Sequence, residues 1–141
     1  MILLPHKGIL AIAAVIDIAL NGAGRPVAAK ALASRHRLPP RHLEPVLQAL
    51  VREGVLRGVR GPRGGYELAR EQRRITADQI LRAAGTVEDR EAAVSGSPLI
   101  AKVVMPALAK AELAFASALS RINVEELTRA AEMFRKSLGE G

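Results

Sequence analysis

The sequence predicts a mainly α-helical fold with one small β-hairpin, on the basis of three observations. Apolar residues make up 49% of the 141 residues and aromatic residues only 2%, so the core must be largely Ala and Leu, which favour helices. A stretch rich in glycine and arginine, RGVRGPRGGYEL from Arg57 to Leu68, interrupts the helical pattern as a hairpin does. A long apolar repeat of helical period then follows.

Two helices are predicted at the N-terminus. The first covers about Gly8 to Leu20 and ends at the breaker run Asn21-Gly22-Ala23-Gly24. It is too short to cross a bilayer and Asp17 interrupts it, so we expect a buried helix and not a membrane span or a signal peptide. The second covers about Val27 to Arg35 and is followed by a tight turn that contains two prolines.

A third helix begins near Pro40, a residue that suits the first helical turn, and ends before Gly54. Pro45 lies inside it and predicts a local distortion or a later helix start. Its apolar residues form one stripe at i, i+3, i+4 and i+7 spacing, which is expected to face the core: Leu43, Val46, Leu47, Leu50 and Val51. Its polar face carries Arg41, His42, Glu44, Gln48 and Arg52.

The hairpin and a fourth helix complete the first part of the chain. Val55 to Val59 and Tyr66 to Leu68 read as two short strands, and the glycines and proline of Arg60–Gly65 form the tip. Thr76 followed by Gln79 predicts a capping box at the start of a helix that Gly85 ends.

The C-terminal part is predicted to contain a linker, a long helix and a short last helix. Residues 86–97 are small and polar, and Ser97-Pro98 can start a helix that runs to about Ile122. At about 40 Å this helix is too long for one small domain to cover. Its a/d-like stripe therefore predicts a homodimer interface, made of Val104, Leu108, Ala111, Phe115, Ala118 and Ile122. The predicted units are 1–85, the linker 86–97, and 98–141.

The order helix, helix, turn, helix, two-stranded hairpin predicts a winged helix-turn-helix domain, followed by a long C-terminal dimerisation helix. Residues 1–80 hold 13 Lys and Arg against 6 Asp and Glu, whereas residues 81–141 hold 8 of each. A basic first part favours nucleic acid as its partner, although a genome-driven arginine content explains the charge alone equally well. In such a domain the third helix enters the major groove of double-stranded DNA, and the hairpin tip lies over the backbone or in the minor groove.

The segment LPPRHLEPVLQALVREGVLRGVRGPRGGYELA, from Leu38 to Ala69, resembles the Rrf2 family of bacterial transcription regulators. HKGILAIAAVIDIAL and ITADQILRAAG fit the same pattern, so the resemblance covers residues 1–85 closely. It implies a sequence-specific regulator, with repression as its expected action. It also implies a homodimer on a partly palindromic operator, with the long helices crossing between subunits. The absence of cysteine fits a cytoplasmic protein.

The resemblance also implies roles for individual residues. Arg41, His42 and Glu44 would face bases or adjacent phosphates, and Arg60 would insert into the minor groove. A carboxylate such as Glu44 can accept from cytosine, although it can equally pair with Arg41 and only position it. Gln48 shares the polar face, and we expect phosphate contacts from Arg52, Arg57 and Arg63.

The sequence departs from the family in one respect. Many members carry three cysteines before the long helix, which hold an iron–sulfur cluster, and the matching TVEDREAAVSGSPLIAKVV contains none. Cluster-based sensing is therefore excluded, and we expect no cofactor. Either the protein responds to an unidentified small-molecule effector, or it binds DNA constitutively.

Other function classes find little support in the sequence. The three histidines are isolated, so no metal site is predicted, and no catalytic set is spaced as an enzyme requires. The hairpin lacks the glycine spacing of a phosphate-binding loop, although a merely solvated loop stays open. The alternative function is a winged-helix protein–protein adaptor with only non-specific DNA affinity.

Overall fold

A computed structural model describes residues 6–85 and 97–139 of the chain and confirms a mainly α-helical fold with one antiparallel hairpin. The predicted linker, 86–97, lies outside the described residues except for Ser97. A 3-10 turn covers Gln72–Arg74, and a π-helical turn covers Ile100–Val104. The other elements are α1 (His6–Asn21), α2 (Ala29–Arg35), α3 (Pro40–Arg52), β1 (Leu56–Val59), β2 (Gly65–Leu68), α4 (Ala77–Ala84), α5 (Met105–Ser120) and α6 (Val124–Ser137).

The core lies between α1, α3, α4 and the hairpin. The predicted buried helix is confirmed, because one side of α1 is almost wholly inaccessible to solvent. The apolar stripe of α3 is confirmed as well, with Val51 half-buried at its edge. Removing this much apolar surface from water is the main force that holds the elements together. The core includes Ala11, Val15, Ile18, Leu32, Leu43, Leu47, Leu50, Leu56, Ile75, Ile80 and Val124.

One buried carboxylate joins α1 to the turn between α2 and α3. Arg35 donates from Nε and Nη2 to the Oδ2 and Oδ1 atoms of Asp17, at 2.9 and 2.6 Å. His36 Nε2 lies 2.8 Å from Oδ2, and Asn21 Nδ2 donates to Oδ1 at 3.1 Å. Burial alone would raise the pKa of Asp17, but the hydrogen bonds from Arg35, His36 and Asn21 outweigh it and lower the pKa. Asp17 therefore stays ionised and holds the end of α2 against α1.

The hairpin is bonded to the segment between α1 and α2. Leu56 pairs with Leu68 and Val59 with Gly65 across the two strands. Val27 adds a bridge on the other side of β2, where it exchanges two backbone hydrogen bonds of 2.8 Å with Tyr66. Because Val27 is extended in this bridge, α2 begins at Ala29 and not at the predicted Val27.

Two capped helix starts lie side by side. The predicted capping box is confirmed, with the Gln79 amide donating to Thr76 Oγ1 at 3.2 Å and the Thr76 amide donating to Gln79 Oε1 at 3.1 Å. Asn123 caps α6 by accepting from the Glu126 amide at 2.9 Å. Backbone bonds of 2.8 Å, Ala77 to Ile122 and Val124 to Ile75, connect the two starts. The last helix thus returns onto the winged domain, and Val124 is part of its core.

The two prolines inside helices affect the helix backbone differently. Pro106 directly follows a π-helical turn, in which the Met105 amide donates to the Ile100 carbonyl. A wider turn relieves the clash between a proline ring and the preceding carbonyls. Pro45 does not delay α3, which begins at Pro40, so the later helix start was wrong.

The helix Ile100–Ser120 packs against α4 but contributes no buried residue to the core. Within the described residues it is the one helix long and apolar enough to cross a membrane, with a mean hydropathy of 1.4, and none of that apolar window is buried. Length and composition alone are weak evidence for insertion. Exposed apolar surface of this extent marks a contact site.

We predict that replacing Asp17 by asparagine lowers the free energy of unfolding by about 1–3 kcal/mol at pH 7, the usual contribution of hydrogen bonds to a charged group. Because the pKa of Asp17 is lowered by folding, this contribution is present above about pH 4 and is lost as the pH falls through the folded-state pKa. Urea unfolding from pH 7 to pH 3 measures the difference. Glu71→Gln, which breaks an exposed pair with Arg73, is the control. Equal losses of unfolding free energy in both variants would contradict a stabilising role for Asp17.

A second prediction concerns the bridge between Val27 and the hairpin. Gly65 has a positive φ of 155°, and a Cβ there would lie 2.4 Å from the Val27 carbonyl oxygen. Gly65→Ala should therefore destabilise the protein by about 1–3 kcal/mol. Gly58→Ala, at a site with nothing within 4 Å of the added carbon, should stay within about 1 kcal/mol of the parent. Thermal unfolding of both variants tests this prediction, and equal unfolding midpoints would contradict it.

Candidate nucleic-acid interface

The polar face of α3 points to solvent. Arg41, Glu44, Gln48 and Arg52 are exposed at spacings of three and four residues, and they form one face opposite the buried stripe. His42 is also exposed and lies at one edge of this face. An exposed face of this kind can present side chains to the major groove.

Glu44 has a free carboxylate. Among residues 6–85 and 97–139 it forms no ion pair and accepts no hydrogen bond, so the alternative in which it pairs with Arg41 is not realised. An unpaired carboxylate at the centre of a basic face can accept a hydrogen bond from a base, and it repels phosphate from the same position.

The hairpin and α3 are connected through Tyr66. Gln48 Nε2 donates to the Tyr66 hydroxyl at 3.2 Å, and the backbone of Tyr66 forms the bridge to Val27. The polar face of α3 and the hairpin are therefore in direct contact through these two side chains. Gln48 has a structural partner as well as an exposed position.

The arginines of the hairpin differ in their surroundings. Arg57 pairs with Glu67 directly across the strands at 2.8 Å, which neutralises part of its charge. Arg60 and Arg63 are exposed on the tip, and neither has an ion-pair partner in the described part of the chain. These two side chains are the free cations of the tip.

Sequence reasoning missed Arg25. This exposed residue lies in the loop between α1 and α2 and lines, together with Arg63, a groove of about 690 Å³ beside the hairpin tip. The Val27–Tyr66 bridge brings the two arginines together, and such pairing between distant segments leaves no local signal in the sequence. A glycine-flanked arginine before Pro26 was the available clue.

A second basic groove lies on the other side of α3. Lys7, Arg52 and Arg82 line it together with Glu53, and its volume is about 480 Å³. Arg52 was predicted from the sequence, but Lys7 and Arg82 belong to α1 and α4 and come near it only through folding.

The stripe predicted for the dimer interface is solvent-exposed along α5 and the turn that follows. Leu108 is 60% exposed, whereas Val104 and Ile122 are 38% and 37% exposed. Ala111 and Ala118 are exposed, and Phe115 is half-buried. The residues that the structure describes therefore leave this apolar stripe largely uncovered.

Comparison with known proteins matches residues 4–130 to the Rrf2 family model, described as an iron-dependent transcriptional regulator. A protein of Haemophilus influenzae named as an HTH-type transcriptional regulator is 38% identical over 80 residues, which cover 57% of this chain and 53% of that protein. The regulator IscR of Escherichia coli is 32% identical over 80 residues, covering 57% of this chain and 49% of that protein. The matched region thus spans about half the length of these curated relatives.

Solved structures resemble almost the whole chain. IscR of T. potens has a TM-score of 0.73 and 26% identity, and the match covers 94% of this chain and 90% of that chain. CymR, the global cysteine regulator of B. subtilis, has a TM-score of 0.70 and 23% identity over 92% and 98% of the two chains. The second likeness shows the fold alone.

The iron in the family description does not fit this chain. The sequence contains no cysteine, and in the described ranges no three His, Cys, Asp or Glu residues form a group that could hold a metal ion. The family model nevertheless matches most of the sequence, and the regulator IscR of Escherichia coli matches 80 of its residues. The solved structure of IscR of T. potens shares its fold. The chain therefore belongs to the Rrf2 family of transcriptional regulators.

Proposed function

We propose that the chain is a sequence-specific DNA-binding transcription regulator that acts as a homodimer, without an iron–sulfur cluster. The observation that carries this proposal is the exposed polar face of α3 beside a hairpin tip with two unpaired arginines. Family membership supports the same function. Repression at a partly palindromic operator and a cytoplasmic location are parts of the proposal, as is the absence of enzymatic activity.

In this proposal α3 reads the major groove. Arg41 and Glu44 contact bases or adjacent phosphates, with His42 at the edge of the contact. Gln48, which donates a hydrogen bond to the Tyr66 hydroxyl, lies on the same face and contacts the major groove. The free carboxylate of Glu44 selects cytosine N4 and disfavours sites that would present an acceptor.

The hairpin and its surroundings bind the backbone and the minor groove. Arg60 enters the minor groove, where the negative potential attracts guanidinium groups. Arg63 and Arg25 line one groove and contact a phosphate together, whereas Arg52 contacts the backbone on the other side of α3. Arg57 contributes less, because Glu67 already pairs with it.

The exposed stripe of α5 supports the proposed homodimer. A chain that leaves Leu108 60% exposed on an apolar helix gains stability when a second copy covers the stripe. Residues 1–85 then form the DNA-binding unit and residues 98–141 carry the dimer contact, with the linker 86–97 between them. Two winged domains held in this way present two α3 helices to one duplex.

We predict different effects for the arginines near the hairpin tip. On a duplex enriched from a random pool, Arg60→Ala should weaken binding roughly tenfold to a hundredfold and reduce discrimination against random DNA. Arg25→Ala and Arg63→Ala should each lower the slope of log K against log salt by about one, with little change in sequence preference. Fluorescence anisotropy at several salt concentrations measures both.

The control for these variants is Arg121→Ala, an exposed arginine in the turn after α5. It should change neither affinity nor salt slope. If all four variants behave alike, the protein binds DNA only through its net charge, as expected of the protein–protein adaptor. If Arg60→Ala retains full affinity, the hairpin assignment is wrong.

For the dimer interface we predict that Leu108→Glu dissociates the protein. Covering the stripe would bury the new charge, so the dimer dissociation constant should rise at least tenfold. Leu113→Glu is a matched control, since Leu113 is 70% exposed on the other side of α5. Sedimentation velocity distinguishes the two. If Leu113→Glu dissociates the dimer and Leu108→Glu does not, the interface lies on the side of α5 that carries Leu113.

A further inference from the structure

A groove lies between α1 and the last helix, and none of its lining residues belongs to the proposed DNA face. Its volume is about 660 Å³, within the range of small-molecule sites. Apolar side chains from both helices line it: Ala13, Ile16 and Leu20 from α1, and Ala131, Phe134 and Leu138 from α6 and its C-terminal end. Phe134 and Leu138 are 64% and 59% exposed, so this apolar wall faces solvent.

The charged groups of this α1–α6 groove are mainly cationic. Arg135 is half-buried on the groove wall, and no described residue forms an ion pair or a side-chain hydrogen bond with it. Arg35 and His36 line the same groove. Among the described residues that line the groove, the one carboxylate is Asp17. It is 5% exposed, and Arg35, His36 and Asn21 already occupy its oxygens. The groove therefore offers unused donors to an anion and an apolar wall to a hydrocarbon.

We propose that the α1–α6 groove binds a small anionic amphiphile, a carboxylate attached to an apolar body. The carboxylate pairs with Arg135, whose planar guanidinium can donate two parallel hydrogen bonds. The apolar body covers Phe134 and Leu138. A neutral apolar molecule would leave Arg135 unpaired beside it, and a small hydrophilic anion would leave the apolar wall in water.

The groove is connected to DNA binding through the hydrogen bonds of Asp17 to Arg35 and His36. This connection rests on the proposed function. Arg35 ends α2 and His36 is its C-cap, so both lie at the turn that leads into α3. A carboxylate in the groove competes with Asp17 for the N–H donors of Arg35 and His36. Occupancy then weakens the hold of α1 on this turn, loosens α3 and lowers the affinity for the operator.

Binding is tested on the full-length protein without DNA, with sodium octanoate as the probe. Octanoate should give saturable changes in the amide NMR signals of α1 and α6, whereas 1-octanol and acetate should need at least tenfold higher concentrations. Arg135→Gln should weaken octanoate about tenfold, and Arg135→Lys should restore part of the loss. Arg129→Gln is the matched control on the same helix, because Arg129 pairs with Glu125 and does not line the groove.

Three results would overturn the site: no saturation by octanoate, equal binding of 1-octanol, or equal effects of Arg135→Gln and Arg129→Gln. A fourth is a rise in the dimer dissociation constant in Arg135→Gln, which would mean that a second copy fills the groove. Because DNA plays no part in this titration, its failure would leave the proposed function intact.

The coupling is tested by repeating the DNA titration with saturating octanoate. The parent protein should lose affinity for its selected duplex several-fold, and Arg135→Gln should need about tenfold more octanoate for the same loss. Unchanged or increased DNA affinity in the octanoate-bound protein would refute the coupling.

Discussion

The arrangement of the DNA-binding elements depends on one buried carboxylate. Asp17 interrupts an otherwise apolar helix and accepts hydrogen bonds from the last residue of α2, from its C-cap and from Asn21. A charge is costly to bury without partners, so the carboxylate and the end of α2 stabilise each other only in one geometry. That geometry sets where the turn into α3 begins. The apolar stripe of α3 then determines which side of the helix faces away from the core.

A second constraint joins the hairpin to the same body. Tyr66 forms a backbone bridge with Val27 and receives a side-chain hydrogen bond from Gln48, so one residue touches both the α1–α2 loop and α3. The bridge also places Arg25 on the same groove as Arg63. A binding surface on rigid elements loses little conformational entropy when its partner binds.

The sequence predicted the elements whose signals are local. The stripe of α3, the glycine-rich hairpin and the capping box of Thr76 and Gln79 each depend on residues a few positions apart, and the structure confirms all three. The role of Asp17, the bridge of Val27 and the position of Arg25 depend on segments distant in sequence. No periodicity or capping pattern reveals such contacts. For this reason Asp17 was interpreted only as an interruption, and Val27 was placed in a helix.

Selection of bound duplexes from a random pool at physiological salt is the most direct test of the proposal that two α3 helices read one duplex. We expect enrichment of a partly palindromic site whose half-sites lie about one helical turn apart, roughly 34–36 Å, or a multiple of it. Enrichment of no sequence by the pure protein, with only salt-sensitive binding to all duplexes, would contradict it.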